Sequence, residues 1–148
     1  MNALVWSMGW VLALLASDSV QVAQAPAADV AVSQAWIRPA PPTAPVRAGY
    51  AVLQNHGTTE VVIDAAYSEA FGAIEIHEMH DVDGVMRMRR VPRLVLDAGG
   101  AAHLKPGGLH LMLFRPAAAL DEGDVATIVF THEGKDVAQG QFVVRAPE

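Results

Sequence analysis

From about Ala28 onward, apolar residues recur at every second position in short β-branched segments, and Gly, Pro or Asp closes almost every one of them. A period of two cannot form the stripe that a packed helix needs, so the chain is expected to be all-β. Strands are expected near Val30 to Ile37, Tyr50 to Gln54, Val61 to Tyr67, Ala73 to His80, Val85 to Val91, Leu94 to Leu96, Ala102 to Leu104, Leu109 to Phe114, Val125 to Thr131 and Val137 to Val144. Many short strands in one domain, from 28 to 148, suit a Greek-key β-sandwich. Pro39 to Pro45 is a loop, because proline cannot donate to a ladder, and Pro116 to Leu120 leaves room for at most one helical turn. Asp83-Gly84 fits a two-residue hairpin, Pro106-Gly107 a type II turn, and Glu122-Gly123-Asp124 a tight reversal.

Ahead of this domain, Ala3 to Ala16 is apolar apart from Ser7 and Gly9, too short for an ordinary membrane span. Residues 1–27 are expected to be a signal peptide, with small-x-small cleavage sequences at Ala23-Gln24-Ala25 and Ala25-Pro26-Ala27. No Lys or Arg precedes the apolar run, so retention as a membrane anchor is the alternative. Either way the domain is expected to be exported.

Composition then narrows the chemistry. The chain has no cysteine, which removes disulfides, zinc-thiolate and iron-sulfur sites, cysteine nucleophiles and blue-copper centres. A net charge of −6 argues against nucleic acid as a partner. There is no Gly-x-Ser-x-Gly elbow, phosphate-binding Gly loop or His-Glu-x-x-His helix, so no enzyme is expected.

Downstream of the leader, every methionine (Met79, Met86, Met88, Met112) lies in one stretch shared with His77, His80, His103 and His110. Methionines often fill cores and histidines often sit on surfaces, so clustering alone decides nothing. Strand phase does. In Leu109-His110-Leu111-Met112-Leu113 the leucines take the core face, which turns His110 and Met112 outward together. In Ile74-Glu75-Ile76-His77-Glu78-Met79 the isoleucines face the core, leaving Glu75, His77 and Met79 opposite. Closing the hairpin at Asp83-Gly84 sets Met79 across from Met88 and makes His77 its diagonal neighbour. His77, Met79, Met86 and Met88 then share a non-core face, which is expected to reach His110 and Met112 only at an edge or rim of the sandwich. Thioethers and imidazoles without thiolate or required carboxylate suit a soft monovalent ion, Cu(I), and serve zinc and calcium poorly. Met79 and Met86 are possible substitute ligands, and Glu75 and Arg90, which strand phase puts on the ligand face, are candidates to orient the ligands. His56, His80, His103 and His132 are expected at the surface, and Trp36 in the core.

The spacing His77, ten residues, Met88, twenty-one residues, His110, one residue, Met112 resembles the copper motif of the PCuAC family of periplasmic CuA copper chaperones. Scattering the 6 His and 6 Met at random would produce it roughly 4 times in 10,000 chains. Ala35-Trp36-Ile37-Arg38, Ala48-Gly49-Tyr50, Gly84-Val85-Met86-Arg87-Met88 and Leu104 to Leu113 resemble the family as well. The resemblance implies a cupredoxin-like β-sandwich with one Cu(I) at a surface site formed by His77, Met88, His110 and Met112. It also implies delivery to the CuA centre in subunit II of cytochrome c oxidase, in cooperation with Sco-type thiol proteins. A periplasmic copper-buffering or resistance protein, and a metal-free β-sandwich interaction domain, are the competing expectations.

Overall fold

The computed structural model describes residues 29–147, and the regular elements in them are all strands. They are β1 (Val30–Ile37), β2 (Val46–Asn55), β3 (Val61–Ile63), β4 (Ala65–Ser68), β5 (Phe71–Val82), β6 (Val85–Arg90), β7 (Leu94–Leu96), β8 (Ala101–Leu104), β9 (Leu109–Pro116), β10 (Val125–His132) and β11 (Lys135–Val144). The expected leader lies outside the described residues.

The all-β expectation holds, and the sheet closes on itself. β4, β10, β11, β1, β2, β9 and β5 form a ring, since β4 also pairs with β5 and β2 with β9. Neighbours remote in sequence, such as β1 beside β11 in parallel, give the non-sequential order typical of Greek-key sandwiches. β2 divides its edge, with Val46 to Gly49 pairing with β9 and Ala51 to Gln54 with β8. β6 is attached to β5 alone.

Inside the ring, Phe130 and Phe142 meet at 6.4 Å between ring centroids, surrounded by Ile37, Leu53, Leu111, Leu113 and Ile128, all fully buried. Each such side chain contributes about 1.5–3 kcal/mol through burial. Asn55 is equally buried and fully engaged. Its amide nitrogen donates to the carbonyls of Thr59 (2.8 Å), Leu96 (3.1 Å) and Asp97 (3.0 Å), while Oδ1 accepts from the Gly57 N–H at 2.9 Å. It therefore ties the end of β2 to the loops around it.

Two local expectations are corrected. Val61 to Tyr67 is two strands, because Asp64 leaves the ladder: its N–H donates to Thr131 (3.0 Å) and its carboxylate accepts from Glu133 N–H (2.9 Å) and His132 Nδ1 (3.0 Å). β3 consequently pairs with β7, and β4 with β10. Trp36 is buried but outside the main core cluster. The reason is a one-residue bulge between Ser33 and Trp36, with Gln34 at φ 51°, which flips the strand phase so that Ile37 turns inward and Trp36 outward against Tyr50. Pro116 to Leu120, with room for at most one helical turn, contains none.

The hairpin chemistry behaves as expected. Asp83 (φ 55°) and Gly84 (φ 79°) are both left-handed, as a type I′ turn requires, and Val82 pairs with Val85. Gly107 at φ 81° closes the Lys105 to Gly108 turn, whose Gly108 N–H donates to the Lys105 carbonyl at 3.1 Å.

Candidate metal centre

The register places the candidate donors on the outer face of three consecutive strands. Met79 pairs with Met88 across β5 and β6, and His77 pairs with Arg90, so Met88 is its diagonal neighbour. On the other side of β5, His77 pairs directly with His110 and Glu75 with Met112. The two donor strands were expected to meet only at an edge or rim. They are instead hydrogen-bonded neighbours in one sheet, a non-local pairing that strand phase alone does not reveal.

Met79, Met88, His110 and Met112 line one cavity of about 270 Å³, together with Arg38, Ala48, Tyr50, Pro106 and Gly107. β2 supplies the far wall, and the Lys105 to Gly108 turn closes over one end. A larger groove of about 480 Å³ runs between β4 and β10, but no His or Met lines it. Met86 points to the same face as Met88 without lining the cavity, and half of its surface is exposed. His110 is buried although it faces away from the core, because the turn and Tyr50 cover it.

His77 stands beside the cavity, its ring centroid 6.2 Å from that of His110 with the planes at 45°. Each ring has one nitrogen committed. His110 Nδ1 lies 2.9 Å from the Gly108 carbonyl, which can only accept, so Nδ1 carries the proton and the Nε2 lone pair is left for another partner. His77 Nε2 lies 2.8 Å from Glu75 Oε2. The Glu75 carboxyl is held below the usual range, first by that bond from His77 and further by the Arg90 charge 3.6 Å away, although partial burial opposes both. As a carboxylate it accepts, which leaves Nδ1 of His77 as a lone pair. That atom is buried and has no hydrogen-bond partner among the described residues. Orientation of imidazoles by a carboxylate and by a backbone carbonyl is the support that metal-binding histidines use. Glu75 and Arg90 lie beside the donors on the same face, where strand phase puts them, with Glu75 between His77 and Arg90. No group of three or more His, Cys, Asp or Glu placed to hold a metal ion occurs among the described residues.

Two residues quoted above only for their resemblance to the family, and given no role there, form part of the site. Tyr50 and Arg38 wall the cavity, with the Arg38 guanidinium 5.8 Å from the Tyr50 ring centroid and the Trp36 ring packed at a tilt against Tyr50, 4.5 Å between centroids. Only the β1 bulge places this group outside the core, and no Gly marks it. His56 and His103 are exposed as expected. His80 and His132 are half-buried, His132 being held by Asp64. His80 also has a buried, unpartnered Nδ1, but it lies on the opposite face of the hairpin, across from Arg87.

The family model described as "Putative lipoprotein LpqE-like" matches residues 30–146. Among curated proteins, "Putative lipoprotein Lxx21020" of Leifsonia xyli subsp. xyli is 29% identical over 100 residues, covering 67% of this chain and 59% of the relative. "Uncharacterized protein RP573" of Rickettsia prowazekii is 38% identical over 64 residues, or 43% of this chain and 35% of the relative. The chain thus spans less than two thirds of either relative. Among solved structures, a copper-bound PCuAC domain from PmoF2 superposes with a TM-score of 0.64 at 17% identity, covering 80% of this chain and 94% of that one. The solution structure of apo-DR1885 from Deinococcus radiodurans superposes at 0.62 with 21% identity, covering 99% and 97%. The strand order and these superpositions agree on the architecture, and the chain belongs to the LpqE-like family with the fold of PCuAC domains.

Proposed function

We propose that this protein is a periplasmic metallochaperone that binds one Cu(I) ion through His77, Met88, His110 and Met112 and delivers it to the CuA centre of cytochrome c oxidase. The observation that carries the reading is the pair of oriented imidazoles, each with one nitrogen tied down and the other left as a lone pair, on the same face as the Met88 and Met112 thioethers. Two neutral nitrogens and two neutral sulfurs form a soft donor set without thiolate, which favours Cu(I) and does not oxidise to a disulfide. Thioethers are weaker donors than thiolates, so an acceptor with cysteines can empty the site. Copper appears in the names of two structures of the same fold, the copper-bound PmoF2 domain and Cu(I)-DR1885. Lipoprotein names in the family support an exported, envelope-associated setting. The role is binding and transfer, not catalysis, with subunit II of the oxidase as acceptor and a Sco-type thiol protein as co-worker.

Anaerobic Cu(I) titration against a chromogenic chelator tests this reading. One equivalent should bind tightly, and Met88→Leu or His110→Ala should weaken binding by about tenfold or more. Tight one-to-one binding untouched by both substitutions would remove the site assignment, and no binding would remove the function.

A further inference from the structure

The four candidate donors differ sharply in how an acceptor could reach them. His110 is 6% exposed, and His77 and Met112 lie on strands flanked by others. Met88 is 48% exposed on β6, the strand bonded on one side only, and all six β6 residues are exposed. Met86 follows on the same face, 52% exposed, about 7 Å further along by strand geometry. Neither methionine fills core, so the burial that ordinarily explains methionine is missing here.

Charge marks the same edge. Arg87, Arg89 and Arg90 on β6 and Arg93 just beyond it are four of the ten basic residues in a chain of net charge −6. Arg89 and Arg90 are paired with Glu78 and Glu75, whereas Arg87, on the face of the hairpin opposite Met86 but on the same open edge, and Arg93, beyond the end of β6, make no ion pair among the described residues. Arg38 adds a cation on the far wall of the cavity. A basic open edge resists pairing with a second copy of itself and attracts an acidic surface.

We infer that β6 is the exit face for the cargo: an acidic, thiol-bearing acceptor docks along it, and Met86 is a transient ligand between Met88 and the acceptor. The inference rests on the copper-transfer reading above. In the step, the Met86 sulfur lone pair forms a bond to Cu(I) while the bonds to His77, His110 and Met112 break in turn, and Met88 stays bound. Two acceptor thiols then lose their protons to solvent, their sulfurs bond the copper, and the Cu–thioether bonds to Met86 and Met88 break. No electron moves, so no oxidant or reductant is required.

The test is stopped-flow transfer from the Cu(I)-loaded protein to two synthetic dicysteine peptides, one flanked by glutamates and one by serines, alongside chelator competition for equilibrium affinity. Met86→Leu should leave affinity within about twofold and slow transfer to both peptides by about fivefold or more, while Met86→His, which restores a donor, recovers the rate. The double variant Arg87→Glu, Arg93→Glu should slow only the acidic peptide and reverse its salt dependence. Wild-type rates in Met86→Leu, or a loss of affinity parallel to the loss of rate, would overturn the relay. An unchanged preference for the acidic peptide in the double variant would overturn the docking face. If the wild-type protein binds no Cu(I), the functional reading itself fails. If it binds through Met88 and His110 while the β6 variants behave as wild type, only the exit face fails.

Discussion

Single residues set both the donor geometry and several independent stabilities. Glu75 holds His77 in one tautomer, so Glu75→Ala should weaken Cu(I) binding by about tenfold in chelator competition and leave the melting temperature nearly unchanged. Arg47 is a different case. It is 2% exposed, and Nε, Nη1 and Nη2 have no partner among the described residues, an arrangement that burial makes costly. Arg47→Met should therefore stabilise the fold by about 1–3 kcal/mol in urea unfolding, and a destabilisation of similar size would contradict this. Asp64 introduces a pH dependence. Its carboxyl lies below the ordinary value of 3.8, chiefly because the Glu133 N–H donates to it and secondarily through His132, with desolvation opposing. A lowered folded-state value means that its contribution is present above pH 3.8 and is lost as pH falls through the folded value. Between neutral pH and pH 3, wild-type unfolding midpoints should accordingly fall more than those of Asp64→Asn, while parallel profiles would contradict the assignment. Asp64 also shows what a residue-level reading misses. Nothing in Val61 to Tyr67 announces that the carboxylate is recruited by a hairpin 68 residues away.

At the scale of elements, legibility followed the range of the interaction. Asp83-Gly84 dictates a local turn, and with it the register of β5 and β6 down to Met79 opposite Met88. The phase of β9 was equally readable, because the alternation of leucines is local. The β5–β9 pairing joins segments separated by dozens of residues, so only the closed fold brings His77 against His110. The β1 bulge escaped for the opposite reason: it is local, but a non-glycine left-handed residue, Gln34, makes it. The dependence of β6 on its single partner has a measurable consequence. Gly84→Val forces a β-branched residue to φ 79°, at a cost of about 1–2 kcal/mol. Hydrogen exchange should rise in β5 and β6 beyond the cavity and Cu(I) affinity should drop, with protection in β10 and β11 unchanged. Equal loss across the barrel would show that the hairpin is not a separate unit.

For the whole molecule, alternation and turn residues sufficed for the all-β class, since a chain with this period has few other ways to bury Phe130, Phe142 and the leucines of β9. On the proposed reading the absence of cysteine has a positive meaning. A carrier exposed to oxidants would keep its cargo on sulfurs that cannot pair, and an acceptor would supply the stronger thiolates. Delivery predicts a phenotype that buffering does not: loss of the gene should lower oxidase activity in a way that added copper restores, whereas copper sensitivity with normal oxidase would indicate storage. The central claim is narrower, that one Cu(I) sits between β5, β6 and β9. It is tested most directly by methyl NMR on protein labelled at the methionine methyls, titrated anaerobically with Cu(I). At one equivalent the account predicts large shifts for Met88 and Met112, a smaller one for Met79 on the cavity wall, and an unmoved Met86. Shifts at Met86 without Met112, or a titration that leaves all four methyls in place, would contradict it.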